Sequence, residues 1–172
     1  MKESHQCLIG KKLNQLGICA PERKPASFEI QLASQISEVK NKWDKLVPNE
    51  HFLSSALYNI YEQCSPKHIQ YRYAVVSNEN KLVFCAAFQL IQIKPEHLKA
   101  RQKNDFIKYA THLMLNMHEI SLLVCGNVYK DDLAGFYCNS QFLDHNQTIE
   151  MLHQCIDAVN KKENCAAILL KD

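Results

Sequence analysis

Cysteine and histidine offer the most chemistry in this chain, and each occurs eight times in 172 residues. The cysteines stand at positions 7, 19, 64, 85, 125, 138, 155 and 165, with successive gaps of 10 to 45 residues. A structural zinc site needs thiolates at much tighter spacing, usually Cys-x-x-Cys, and no such pair occurs. Cys64, Cys85 and Cys155 fall inside apolar periodic runs, where a thiol serves as a small hydrophobe. That usage implies a reducing, cytoplasmic setting. The polar opening MKESHQCLIGKKLNQLG also lacks the apolar region of a secretory signal. His112 and His118 are six apart on an expected helix, and His153 lies two from Cys155. Neither matches the i, i+4 spacing that turns two imidazoles toward one metal, so no metal is expected. Cys125 at a strand end is a nucleophile only if a cation lowers its pKa, and no neighbour in sequence supplies one.

Four other positions carry weight through their placement. Asn127 and Asp172 each follow an apolar strand at its carboxyl end, where open α/β sheets expose groups to a crevice. There a carboxylate can take a proton and an amide can hold a developing negative charge. The plainer readings are a turn residue for Asn127 and a charged terminal residue for Asp172. Gln89 is the one polar residue on its face of an otherwise apolar strand. It either contacts a substrate or binds a neighbouring backbone edge. His51 either lines the same cleft or simply precedes a helix cap.

The elements that must position these residues are legible in the hydrophobic periodicity. Residues 1–26 read as an extension. Phe28, Ile30 and Leu32 alternate as a short strand. After Ser34, a plausible cap, Ile36, Val39, Trp43, Leu46 and Val47 recur at helical spacing until Pro48, which puts Trp43 on the inner stripe. A second helix begins at Ser54 or Ser55, with Leu57, Ile60, Tyr61 and Cys64 expected inside. Tyr71–Val76 and Lys81–Ile93 form a hairpin through Asn78-Glu79-Asn80. In the longer strand Leu82, Phe84, Ala86, Phe88 and Leu90 share one face, and Val83, Cys85, Ala87 and Ile91 the other. Both faces are apolar, so this strand should be central and covered on both sides.

Pro95 opens a basic helical segment with Leu98, Phe106, Ile107, Ala110, Leu113, Met114 and Met117 as its apolar stripe. Its cations, from Lys94 to Lys108, read as a solvated helix face. Ile120–Cys125 is a strand ending at Gly126-Asn127, and Tyr129–Phe142 is expected to be irregular. Asp144 and Gln147 have the form of a capping box, followed by a helix with Ile149, Leu152, Ile156 and Val159 inside. Cys165–Leu170 is the last strand. The result is an α/β plan around a mixed sheet. Because the order ends on a strand, which ordinarily leads into further packing elements, an incomplete or half domain is expected.

Composition sets the outer limits. Lys plus Arg total 20 against 18 for Asp plus Glu, a net charge of +2. That balance argues against a dedicated polyanion binder while leaving room for a local basic patch, and no nucleic-acid partner is expected. No apolar run approaches the roughly 20 residues of a membrane helix, and 47% hydrophobic residues suffice for one core.

Several segments carry a resemblance. Trp43-Asp44, His51-Phe52-Leu53-Ser54-Ser55, Arg72–Val76 and Lys81–Leu90 resemble the amino-terminal part of bacterial proteins in the acyl-CoA N-acyltransferase (GNAT-like) superfamily. Leu122–Asn127 resembles their Cys-Gly-Asn strand end, and Ile168–Asp172 their strand ending in Lys-Asp. The resemblance covers about residues 27–172. It implies a GNAT-like mixed sheet flanked by helices, as one half of a tandem protein similar to enzymes that add amino acids to peptidoglycan precursors. It further implies acyl transfer from an acyl-CoA co-substrate, not tightly bound, to a small-molecule or peptide-like amine. In that reading Asp172 and Asn127 are catalytic, Cys125 and Gly126 face the cofactor, and His51 and Gln89 face the substrate. The second half of the same polypeptide completes the cleft, and self-association of this half is expected. The coenzyme loop itself departs from the superfamily pattern. Gly126 and Gly135 are its only glycines, and Asp131 and Asp132 stand where a phosphate cradle is neutral or basic. The alternative is therefore a non-catalytic binding or structural module with a GNAT-like fold. In the acyltransferase reading, the strand Ile120–Cys125 should splay from the strand Cys165–Leu170.

Overall fold

The computed structural model describes residues 28–94, 120–129 and 134–170. The expected extension, the basic helix after Pro95 and Asp172 lie outside the described residues. In chain order the elements are β1 (Phe28–Ala33), α1 (Ile36–Leu46), α2 (Ser55–Cys64), β2 (Ile69–Asn78), β3 (Lys81–Ile93), β4 (Ile120–Cys125), β5 (Phe136–Cys138), α3 (His145–Glu163) and β6 (Ala167–Leu170).

The strands form one mixed sheet in the order β1-β2-β3-β4-β6. The β1, β2, β3 and β4 neighbours are antiparallel, whereas β4 and β6 are parallel. A parallel pair needs a crossover, and α3 lies within it. The β2–β3 hairpin turns on Glu79 and Asn80, both with positive φ (47° and 67°), the backbone of a tight two-residue turn matched to strand twist.

Two apolar clusters cover the two faces of the sheet. On one face α3 packs Met151, Cys155, Ile156 and Val159 against Ala74, Val76, Phe84, Ala86, Phe88, Leu123 and Cys125. On the other, α1 and α2 pack Ile36, Val39, Trp43 and Tyr58 against Tyr71, Tyr73, Val75, Cys85 and Ala87. β3 is buried continuously from Val83 to Leu90, as its two apolar faces require.

The expected face assignment slips at one end of β3. Val76 pairs with Phe84 but Ser77 pairs with Leu82, leaving Val83 as an extra residue. This bulge reverses the alternation, so Val83 joins Phe84 beneath α3 and Leu82 packs toward α1.

Helix α1 meets expectation, with Ile36, Val39 and Trp43 buried. Its N-cap is Gln35 and not Ser34. The Glu38 carboxylate accepts from both the Ser34 and Gln35 N–H groups. Glu62 of α2 accepts from Ile36 N–H and from the Tyr73 hydroxyl, each at 2.7 Å. Two carboxylates thus meet the positive end of α1.

The buried faces of the other helices are rotated from those expected. In α2, Ser55 and Tyr58 are buried, while Ile60 is 53% exposed and Cys64 is exposed. The cause is Tyr58, whose ring packs edge-on against Trp43, Tyr61, Tyr71 and Tyr73 and turns that side of the helix inward. In α3, Met151 and Cys155 are buried and Ile149 is exposed. Arg72 of β2 ties the end of α3 to the sheet through Glu163, at 2.7 Å. Among the described residues, no helix is long and apolar enough to cross a membrane.

Candidate functional site

Four of the candidate residues, Cys125, Gly126, Asn127 and Gln89, come together where β4 ends. β3 spends one edge on two successive partners. Phe88–Ile93 pair with β4, and Phe84–Ala86 pair with β5. β5 lies inside the stretch expected to be irregular; three residues are too few for a periodicity signal. Ala87, at the junction, receives the Gly126 N–H on its carbonyl (3.3 Å) and donates its own N–H to the Gly135 carbonyl (2.7 Å). Gly126 and Gly135 thus meet at Ala87, the junction between the two partners of β3.

Both glycines are needed there. Gly126 has φ of 120°, a conformation that side-chain-bearing residues rarely adopt. A Cβ on Gly135 would lie 2.2 Å from the Gly126 nitrogen. The approach is backbone to backbone.

Gln89 is completely buried on the α1/α2 face. Its carbonyl oxygen accepts from Val128 N–H at 2.8 Å, and its amide nitrogen donates to the Tyr71 hydroxyl at 3.0 Å. Tyr71 also bonds Ser65 at 2.7 Å. The bond to Val128 is to a neighbouring backbone edge, one of the two sequence readings of Gln89. Burial holds the Tyr71 hydroxyl above its ordinary pKa, opposed by its bonds to Ser65 and Gln89. Neither Ser65 nor Tyr71 stood out in the sequence, because their partnership exists only once β2 and β3 are in register.

Asn127 is buried, and its side-chain oxygen accepts from Tyr129 N–H at 2.9 Å. That bond to the residue two positions on is the turn role. Cys125 faces the opposite side of the sheet, among the α3 residues. Burial pushes its thiol up to about 12, which leaves negligible thiolate at neutral pH. His51 lies in the α1–α2 connection. Its Nδ1 accepts from Leu53 N–H at 3.2 Å, and its ring packs on Phe52 and Tyr137. The fold thus gathers Cys125, Gly126, Asn127 and Gln89 at the β4 end and sets His51 against β5.

Two features bear on a coenzyme. First, β4 and β6 stay in register from Leu122↔Ala167 to Cys125↔Leu170. The splay expected between these strands is absent along their described length, and β6 is matched over all four of its residues. Second, the amino end of α3 is occupied by the chain itself. The Asp144 carboxylate accepts from Gln147 N–H at 2.9 Å, and the Gln147 side chain accepts from Asp144 N–H at 3.0 Å. The capping box read in the sequence is present, and it puts an anion where a pyrophosphate would need free N–H donors.

Comparison of the chain with protein-family models, with curated proteins and with solved structures finds no match in any of the three.

Proposed function

We propose that this domain is a non-catalytic binding or structural module whose strand order is that of a GNAT-like half and whose coenzyme loop is gone, working in a reducing, cytoplasmic setting. The observation that carries this reading is the closed amino end of α3. Asp144 already fills the dipole's anion position, so a bound pyrophosphate would lose those donors and meet a like charge. Three of the candidate polar groups are also engaged internally. Gln89 uses both ends of its amide, Asn127 its oxygen and His51 its Nδ1.

A second reading rests on the strand order alone, because the in-register β4–β6 pair lacks the splay it calls for. The parallel β4–β6 pair beside an antiparallel meander puts Gly126 and Asn127 at a strand end where the sheet changes direction. There the domain would form one wall of an acceptor cleft for a small-molecule or peptide-like amine. The second half of the same polypeptide, with Asp172, would complete an N-acyltransferase.

Titration of the 172-residue chain with acetyl-CoA, with a dipeptide amine, and with both tests these readings. The module reading expects no saturable amide shifts at Cys125–Asn127 and no release of free coenzyme thiol. Saturable shifts at those residues on adding the dipeptide amine alone overturn it in favour of the cleft wall, and acetyl-CoA shifts with amine-dependent thiol release overturn both in favour of an enzyme complete in this chain.

A further inference from the structure

At the hairpin end of the sheet, β1, the β2–β3 turn, α1 and the segment before α3 border a half-open groove of about 450 Å³. Its wall carries Lys42 and Lys45 from α1 and Lys81 from the start of β3, against one carboxylate, Glu29. Among the described residues, none of these three lysines has a carboxylate within ion-pair distance; Lys42 donates to the Gln31 side-chain oxygen. The groove also has an apolar side. Leu82 is turned toward it by the bulge at Val83, and Phe142 is 46% exposed, with the Lys81 ammonium 5.5 Å from its ring centre.

We propose that this groove binds a mononucleotide, with the phosphate held among Lys42, Lys45 and Lys81 and the base lying against Phe142 and Leu82. The volume falls in the range of small-ligand sites. A half-open groove with a ring on one side offers more than a lone phosphate would use. The three lysines line one groove together, and phosphate and oligonucleotide comparators separate a local site from a nucleic-acid track. A nucleoside phosphate matches both halves of the lining: charge for the ammonium groups and a planar face for the ring. This inference does not rest on the module reading, because its residues are separate from the β4 end.

The test titrates the 172-residue chain with ADP at low ionic strength, reading backbone amide shifts, with inorganic phosphate and a short single-stranded oligonucleotide as comparators. ADP is expected to saturate shifts at Lys45, Asn80 and Lys81. The exposed double substitution K42A/K45A should weaken binding by about tenfold or more, and added salt should weaken it further. Phe142→Ala should weaken ADP but leave inorganic phosphate unchanged, and Glu29→Gln should tighten both. Absence of saturable shifts there overturns the proposal, as does phosphate binding as tightly as ADP. Tighter binding of the oligonucleotide overturns it in favour of a nucleic-acid surface.

Discussion

The side-chain oxygen of Gln89 and the backbone N–H of Val128 are 2.8 Å apart, and this bond fixes the turn after β4 to the middle of the sheet. Gln89→Leu keeps roughly the same bulk while removing both polar partners. It leaves the half-buried Val128 N–H without its acceptor and the Tyr71 hydroxyl with its Ser65 bond alone, and the expected loss is about 1–3 kcal/mol, the typical cost of one abandoned group. Amide exchange at Val128 should accelerate in the same variant. Unchanged stability and exchange would show that the turn is held by something other than Gln89.

Gly135→Ala is expected to be more damaging than its single methyl suggests. The added Cβ would meet the Gly126 nitrogen at 2.2 Å and the Cys125 carbonyl carbon at 2.8 Å. These are backbone atoms that cannot rotate away. The β5 strand must move off β3, breaking the Ala87 N–H bond to the Gly135 carbonyl. Thermal unfolding should shift down, with exchange at Ala87 rising first. A variant as stable as the parent would mean that β5 is loosely held.

The parts legible in the sequence were those governed by local patterning. The capping box at Asp144, the hairpin at Glu79-Asn80, the double burial of β3 and the inner position of Trp43 follow from propensity and period alone. The errors arose from long-range contacts. Tyr58 turned α2 because four aromatic rings from α1, α2 and β2 surround it. The bulge at Val83 is set by pairing with β2, and β5 exists through its ladder with β3. At the site, the placement of Asn127 at a strand end and its turn role were readable, but its burial was not. Both bonds of Gln89 depend on tertiary register.

Alkaline conditions should unfold the domain through groups that burial keeps protonated. Cys125 and Cys155 are pushed up to about 12, and burial also raises the hydroxyls of Tyr58, Tyr71 and Tyr73. The unfolded chain ionises these groups nearer their ordinary values of 9.0 and 10.0. Their contribution is therefore complete below about pH 9 and is lost as pH climbs toward about 12. Urea midpoints should fall across that window, with tyrosinate absorbance from the three buried rings appearing together with unfolding. Their titration ahead of unfolding would contradict this. Among the described cysteines, exposed Cys64 should be alkylated before Cys85, Cys125 and Cys155.

Trp43 joins α1 to both α2 and the sheet. It is fully buried, packs edge-on against Tyr58 and Tyr73, and donates its indole N–H to the Leu53 carbonyl at 2.7 Å. Trp43→Ala should cost about 3–5 kcal/mol, the usual range for a large buried ring. Trp43→Phe retains most of the packing and loses the hydrogen bond, so its cost should be smaller and should appear first in the connection before α2. Equal stability of the parent and the alanine variant would rule out this bridging role.

The last prediction concerns β6. Ile168, Leu169 and Leu170 are between 42% and 49% exposed on a strand whose described neighbour is β4 alone. Alternate side chains of a strand point to opposite faces, so both faces of β6 are incompletely covered, and its outer backbone edge can accept another strand. Sedimentation of the 172-residue chain should therefore show mass rising with concentration. Leu169→Lys should suppress that rise, because a charge at the centre of an edge strand opposes pairing with a second copy. It should do so with little loss of stability, since the side chain is already half in water. A strictly monomeric parent at high concentration would show that this edge does not drive association. A lysine variant that still associates would move the contact elsewhere on the surface.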